Sequence, residues 1–135
     1  MATFETDVPD WNRWNDNHLQ RGRVKAVVDG KMAGWAALTP VSNRCVYEGV
    51  AEVSVYVSSL AQGKGVGYNL LASLVAISEK EHIWTLQSSI FSENVPSQKL
   101  HLKCGFRKVG YREKIAKYNG VWKDTILMER RSERY

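Results

Sequence analysis

Val50-Ala51-Glu52-Val53-Ser54-Val55-Tyr56-Val57, followed after a short loop by Gln62-Gly63-Lys64-Gly65-Val66-Gly67, decides how this chain folds. In the first stretch Val53, Val55 and Val57 share one side while Glu52, Ser54 and Tyr56 share the other, the period of a strand. From Gly65 the period changes. Val66, Leu70, Leu71, Leu74, Val75 and Ile77 recur at helical spacing and predict an amphipathic helix to about Glu81. Glycines between such a strand and helix let the backbone come close to a ligand. The first N–H groups of the helix lack internal partners and carry partial positive charge, so together they make a seat for a phosphate or pyrophosphate. Lys64 adds a formal charge at its rim.

Working outward, Val24 to Val28 and Met32 to Leu38 read as strands joined by the hairpin turn Asp29-Gly30. Pro40 to Arg44 is a loop. Trp84 to Ile90 is another strand, and Asn94 can cap a second helix with Pro96 in its first turn and a stop at Gly105. Phe106 to Tyr111 and Thr125 to Met128 are strand candidates around the turn Tyr118-Asn119-Gly120. Ahead of all these, Asp16 and Asn17 can cap a short helix. The order predicts one α/β domain over residues 1–135, with a mixed sheet and no internal repeat.

The 135 residues, 44% hydrophobic and 24% charged, can bury a real core. Collagen-like, low-complexity and bilayer-spanning classes are excluded, and the start shows no signal-peptide pattern. A net charge of +5 suits a polyanion, either nucleic acid or a phosphorylated cofactor. The basic residues are scattered, apart from Arg130, Arg131 and Arg134. The expectation is therefore a solvated surface, with no nucleic-acid or membrane partner. Cys45 and Cys104 form no CxxC and no metal spacing with histidine, which points to no metal and a reducing, cytoplasmic setting.

Three phosphate loops compete. A P-loop needs Ser or Thr after Gly-Lys, and here Gly65 follows Lys64. A dinucleotide fingerprint places its last glycine one residue later than Gly67. Gln62, Gly65 and Gly67 fit the Q/R-x-x-G-x-G/A signature of the Gcn5-related N-acetyltransferases; a glycine-rich turn without a ligand remains the plain alternative. The resemblance continues through Asn94-Val95-Pro96-Ser97 and Leu100-His101-Leu102-Lys103-Cys104-Gly105-Phe106. Within that superfamily the chain looks like the phosphinothricin and methionine sulfoximine acetyltransferases. Ala2-Thr3-Phe4-Glu5-Thr6, Gly34-Trp35-Ala36-Ala37-Leu38, Glu52-Val53-Ser54-Val55-Tyr56-Val57 and Lys117-Tyr118-Asn119-Gly120-Val121-Trp122-Lys123-Asp124 carry the closer likeness. The resemblance implies the acyl-CoA N-acyltransferase fold: a mixed, mostly antiparallel sheet with a splayed parallel strand pair and flanking helices. In the family a strand and helix precede the segment like Ala2 to Thr6, so here the expectation is that either they are missing or Met1 is an internal residue of a longer chain.

The same resemblance implies acetyl transfer from acetyl-CoA to the primary amine of a small amino-acid-like acceptor, of the phosphinothricin, methionine sulfoximine or methionine sulfone type, and a homodimer. A different amine (a protein N-terminus or a polyamine) and a CoA-binding module without turnover stay open. Amines are mostly protonated at neutral pH, so a base is needed. Glu52, a carboxylate in an apolar strand just before the phosphate loop, is the candidate, directly or through a water; a carboxylate paired with Arg or Lys is the alternative. The backbone of Val55, Tyr56 and Val57 is expected to bind the pantetheine arm like an added strand. Gln62, Gly63, Lys64, Gly65, Val66, Gly67 and Tyr68 are expected to hold the pyrophosphate. Asn94 and Ser97 resemble a second cofactor contact, and Asn94 serves equally as a helix cap. His101 stands where many superfamily members have Tyr. It could protonate the departing thiolate or simply pack in its helix. For the acceptor, Ser42, Asn43 and Arg44 precede the Glu52 strand, with Arg44 able to grip a carboxylate. Lys117 and Trp122, with Asp124, resemble a family segment near the acceptor; surface charge, core aromatic or turn residue are their plainer readings.

Overall fold

The structure, a computed structural model, describes residues 22–135. The helix expected after Asp16 or Asn17, and the expected lack of a first strand and helix, lie outside the described residues.

Six strands form one sheet: β1 Arg23–Val28, β2 Lys31–Pro40, β3 Val50–Val57, β4 Thr85–Phe91, β5 Arg107–Tyr118 and β6 Val121–Arg131. Two α-helices interrupt them, α1 Val66–Lys80 after β3 and α2 Val95–Lys103 after β4. The spatial order is β1-β2-β3-β4-β6-β5. Every neighbouring pair is antiparallel except β3 and β4. The mixed sheet with one parallel pair is therefore the predicted architecture. Asp29-Gly30 and Asn119-Gly120 turn two hairpins with both φ angles positive, 52° and 77° in the first and 51° and 77° in the second. This mirror-image turn matches the twist of the strands it joins.

The last hairpin is much longer than its apolar alternation suggested. Nearly all of β5 is exposed, so its side chains carry no burial period, and backbone pairing with β6 alone defines it. Between Arg112 and Ala116 the register shifts. There Lys114 has a φ of 49°, and its N–H donates to Asp124 Oδ1 at 2.7 Å. The Tyr111 hydroxyl donates to the other carboxylate oxygen. Those two bonds, Tyr111's first, hold the Asp124 carboxyl below its ordinary range.

The core lies between α1 and the sheet. Val66, Leu70, Leu71 and Leu74 of α1 are buried against Ala36 and Leu38 of β2 and Ala51 and Val53 of β3. Gly34 permits this approach: a Cβ there would sit 2.4 Å from the Tyr56 carbonyl oxygen and 3.1 Å from Leu70. At its far end α1 is tied to the end of β6. Glu79 pairs with Arg130 at 2.8 Å and accepts the Ser132 hydroxyl at 2.8 Å.

Candidate active site

The parallel pair β3–β4 holds together for three rungs only: Val50 with Thr85, Ala51 with Leu86 and Glu52 with Gln87. Beyond Glu52 the strands part, while β3 stays paired with β2 as far as Val57. Hydrogen bonding shows which backbone groups face the gap. Ser58 N–H donates to the Ala33 carbonyl at 2.7 Å, and the Val50 carbonyl accepts from Val41 N–H at 3.5 Å. Alternation along a strand then turns the peptide groups of Val55 and Val57 to the opposite edge, where β4 has already left. They are polar groups on the rim of an opening, free to pair with an extended ligand.

The loop after β3 closes one end of that opening. Gly63 and Gly65 have φ of 82° and 75°. Gly65 is the N-cap of α1 and supplies no side-chain cap, and the Asn69 N–H to Gly65 carbonyl bond of 3.1 Å opens the helical ladder. The amides of Val66, Gly67 and Tyr68 are therefore left without intrahelical acceptors. Across the gap, α2 begins at Asn94, whose side chain accepts from Ser97 N–H at 3.2 Å. Gln98 is buried and fixes α2 on the end of β4, donating to the carbonyls of Phe91 at 3.3 Å and Ser92 at 2.9 Å.

Together these elements form a cleft of about 630 Å³. The structure brings Val55, Tyr56, Val57, Gln62, Gly63, Gly65, Val66, Gly67, Tyr68, Asn94 and Ser97 to its walls. Lys64 is exposed beside it but is not a wall residue. Four further wall residues, Ser59, Ala61, Pro96 and Leu100, are not among the site residues that the sequence suggests. Pro96 and Leu100 carry a signal in retrospect, since they lie four apart on the α2 face that also holds Ser97. Ser59 and Ala61 form a single 3₁₀ turn with no periodicity to read.

Glu52 stands three residues before Val55, about 10 Å along the strand. Its neighbours Ala51 and Val53 point into the core under α1, so its half-buried side chain points to the other face of the sheet. Tyr56 shares that face and stacks on Trp35 with ring centroids 6.2 Å apart. Among the described residues Glu52 makes no ion pair.

His101 is not brought to the cleft. It is buried with its ring edge against Phe106, centroids 4.9 Å apart. Its Nδ1 lies 2.7 Å from the Ser97 carbonyl and must carry the proton, which leaves Nε2 bare and without a partner. Burial pulls its pKa below 6.5 against the opposing pull of the Ser97 carbonyl. The acceptor candidates are also apart from the cleft walls. Ser42, Asn43 and Arg44 lie in the loop that enters β3, with Ser42 Oγ accepting from Arg44 N–H at 3.1 Å. Lys117 Nζ sits 5.6 Å above the Trp122 ring on the last hairpin. Burial pushes the Cys104 thiol up, so it is not a thiolate at neutral pH. Among the described residues no cluster of His, Cys, Asp or Glu could hold a metal ion, and no helix is long and apolar enough to cross a membrane.

A parallel pair that splays after three rungs, above a helix whose first amides lack caps, fits a long ligand with an extended arm and a diphosphate. Comparison with known proteins agrees. Residues 23–127 match the acetyltransferase (GNAT) domain, and the chain belongs to that family. It is 33% identical to a phosphinothricin N-acetyltransferase of Streptomyces coelicolor, over 95% of this chain and 80% of that one. It is 29% identical to an L-methionine sulfoximine/L-methionine sulfone acetyltransferase of Pseudomonas aeruginosa, over 93% of this chain and 76% of that one. A crystal structure of a phosphinothricin acetyltransferase from Sinorhizobium meliloti in complex with acetyl-CoA superposes with a TM-score of 0.86 at 29% identity, covering 96% of this chain and 74% of that one. The protein is an acetyl-CoA-dependent N-acetyltransferase.

Proposed function

We propose that this enzyme acetylates the primary amine of a small amino-acid-like acceptor, of the phosphinothricin, methionine sulfoximine or methionine sulfone type, with Glu52 as general base. The observation that carries the reading is the place of Glu52 on the last rung before β3 and β4 part, with no cation paired to it among the described residues. Bound acetyl-CoA supplies an acetyl group activated as a thioester. The chain's own groups do the rest. The amides of Val66, Gly67 and Tyr68 hold the diphosphate, and the peptide groups of Val55 and Val57 align the pantetheine arm as an added strand. Glu52 takes a proton from the amine, directly or through one water, so that the nitrogen attacks with a free lone pair. Arg44, with Ser42 and Asn43, and Lys117 with Trp122 remain the candidates for gripping the acceptor. The largely exposed edge strand β5, with Val109, Tyr111 and Ile115 uncovered, supports the homodimer that the resemblance implies.

The test follows free thiol released from acetyl-CoA across a panel holding methionine sulfone, methionine sulfoximine, phosphinothricin, a polyamine and an N-terminal peptide. Turnover is expected with the first three. Glu52→Gln is expected to lower kcat by about 100-fold or more, with the Kd of acetyl-CoA unchanged. Normal turnover in that variant removes Glu52 from the chemistry.

A further inference from the structure

Glu52 is not alone on its rung. Gln87 of β4 is its register partner, and side chains paired across neighbouring strands emerge on the same face. On the other side of Gln87 stands Glu129 of β6, then Arg107 of β5, so the row across the sheet reads Glu52, Gln87, Glu129, Arg107. The outer two close on each other, with Arg107 donating to Glu129 at 2.6 Å. The inner two do not. Among the described residues neither the carboxylate of Glu52 nor the amide of Gln87 makes a hydrogen bond or an ion pair, although both are half-buried. Neither group is sealed from solvent, so each is free to receive a ligand in place of water. Here two such groups lie side by side at the vertex where the strands separate.

We infer that Gln87 is a second contact for the acceptor nitrogen and makes the enzyme selective for primary over secondary amines, an inference that rests on the reading of Glu52 as base. A primary amine attacking a carbonyl points its lone pair at carbon and has two N–H bonds left. Glu52 has by then taken the first proton from the ammonium form of the amine; as the C–N bond forms, the C–S bond breaks with its electron pair on sulfur, and one of the two remaining nitrogen protons passes to that sulfur, directly or through water. The other N–H needs an acceptor throughout, and the Gln87 carbonyl oxygen supplies it. An N-methylated amine has no second N–H; its methyl would face the Gln87 carbonyl and leave that oxygen unpaired. Sites built to receive an N–H discriminate strongly against analogues that lack it.

The experiment compares methionine sulfone with N-methyl-methionine sulfone. Wild type is expected to prefer the primary amine at least about tenfold in kcat/KM. Gln87→Met, close in shape but without the acceptor oxygen, should raise KM for methionine sulfone roughly fivefold to tenfold and collapse the preference. The Kd of acetyl-CoA should not move. Gln87→Glu keeps an acceptor oxygen and should retain the preference, while the acid limb of its pH–rate profile moves up because two carboxylates now share one rung. Wild-type KM and preference in Gln87→Met would overturn the inference, as would equal use of both amines by the wild type. Should Gln87→Met not fold, an unshifted acid limb in Gln87→Glu overturns it instead. Glu52→Gln separates the two levels. If it turns over normally, the underlying reading fails; if it is inactive while Gln87→Met keeps its preference, only the role of Gln87 fails.

Discussion

The two helices of this enzyme begin on opposite walls of one cleft, and they begin differently. α2 starts at Asn94, whose side chain accepts the Ser97 N–H, with Pro96 next to it needing no acceptor. α1 starts at Gly65, in a left-handed conformation, with no side chain to receive its first amides. A helix start left open on a cleft wall, with glycine at its N-cap, gives up only about a few tenths of a kcal/mol relative to a side-chain cap. It gains a set of aligned donors and a partial positive charge where a diphosphate can sit. The closed start of α2 holds the opposite wall in place. One terminus is built for the ligand and the other for the protein.

Closing the open terminus is the strongest way to break this contrast. Aspartate is tolerated at positive φ better than most residues. In Gly65→Asp the Cβ meets nothing within 4 Å, and the remaining cost is the strain of a side chain at a φ of 75°, about 1 kcal/mol. Its carboxylate would offer an acceptor to the α1 amides and place a negative charge in the diphosphate seat. The expected result is a loss of acetyl-CoA affinity of about 100-fold or more, with a melting temperature only about 4 °C below that of the wild type, both read by calorimetry. Unchanged affinity would mean that the cofactor does not use this terminus.

The reciprocal change sharpens the contrast. Asn94→Ala opens the start of α2 and should cost about 1 kcal/mol. For a chain of this size that is a fall of roughly 4 °C in melting temperature. Acetyl-CoA affinity should drop by less than about tenfold, because the Asn94 side chain is already engaged with Ser97. A larger loss of affinity than of stability would assign Asn94 to the cofactor rather than to its own helix.

The open terminus was legible in the sequence and much of the opposite side was not, for physical reasons. Gln62, Gly65 and Gly67 sit between two clear periods, so the change from strand to helix marks the loop and the glycines mark its purpose. The splay itself has no local signature. It appears only as pairing that stops after Glu52 and Gln87, a relation between strands about 35 residues apart. Gln87 and Gln98 were missed because a glutamine in a strand or a helix looks like surface until its neighbours are known. The exposed lengths of β5 and β6 were underestimated because burial, not backbone pairing, generates the alternation that reads as a strand. Arg44, Lys117 and Trp122 came from loop position and resemblance, and none lines the cleft. The acceptor side depends on contacts between distant elements that no short motif records.

The smallest effect concerns the one polar atom on the closed side that is not closed. His101 Nε2 is the single buried side-chain nitrogen or oxygen without a partner among the described residues. Its ring already spends Nδ1–H on Ser97, and burial keeps it neutral by holding its pKa below 6.5. The unfolded chain takes up a proton at this position as pH falls through about 6.5, while the folded chain does not. Stability is therefore full above that pH and declines below it, at no more than about 1.4 kcal/mol per pH unit, until the folded pKa is reached. His101→Gln keeps an amide able to donate to Ser97 and does not titrate. Urea unfolding at pH 7 and pH 5 should show a smaller loss of stability on acidification in this variant than in the wild type. If His101 instead protonated the thiolate, the variant would lose turnover at pH 7 with its acid stability unchanged. The geometry, with Nε2 bare and turned into packed side chains, favours the first outcome.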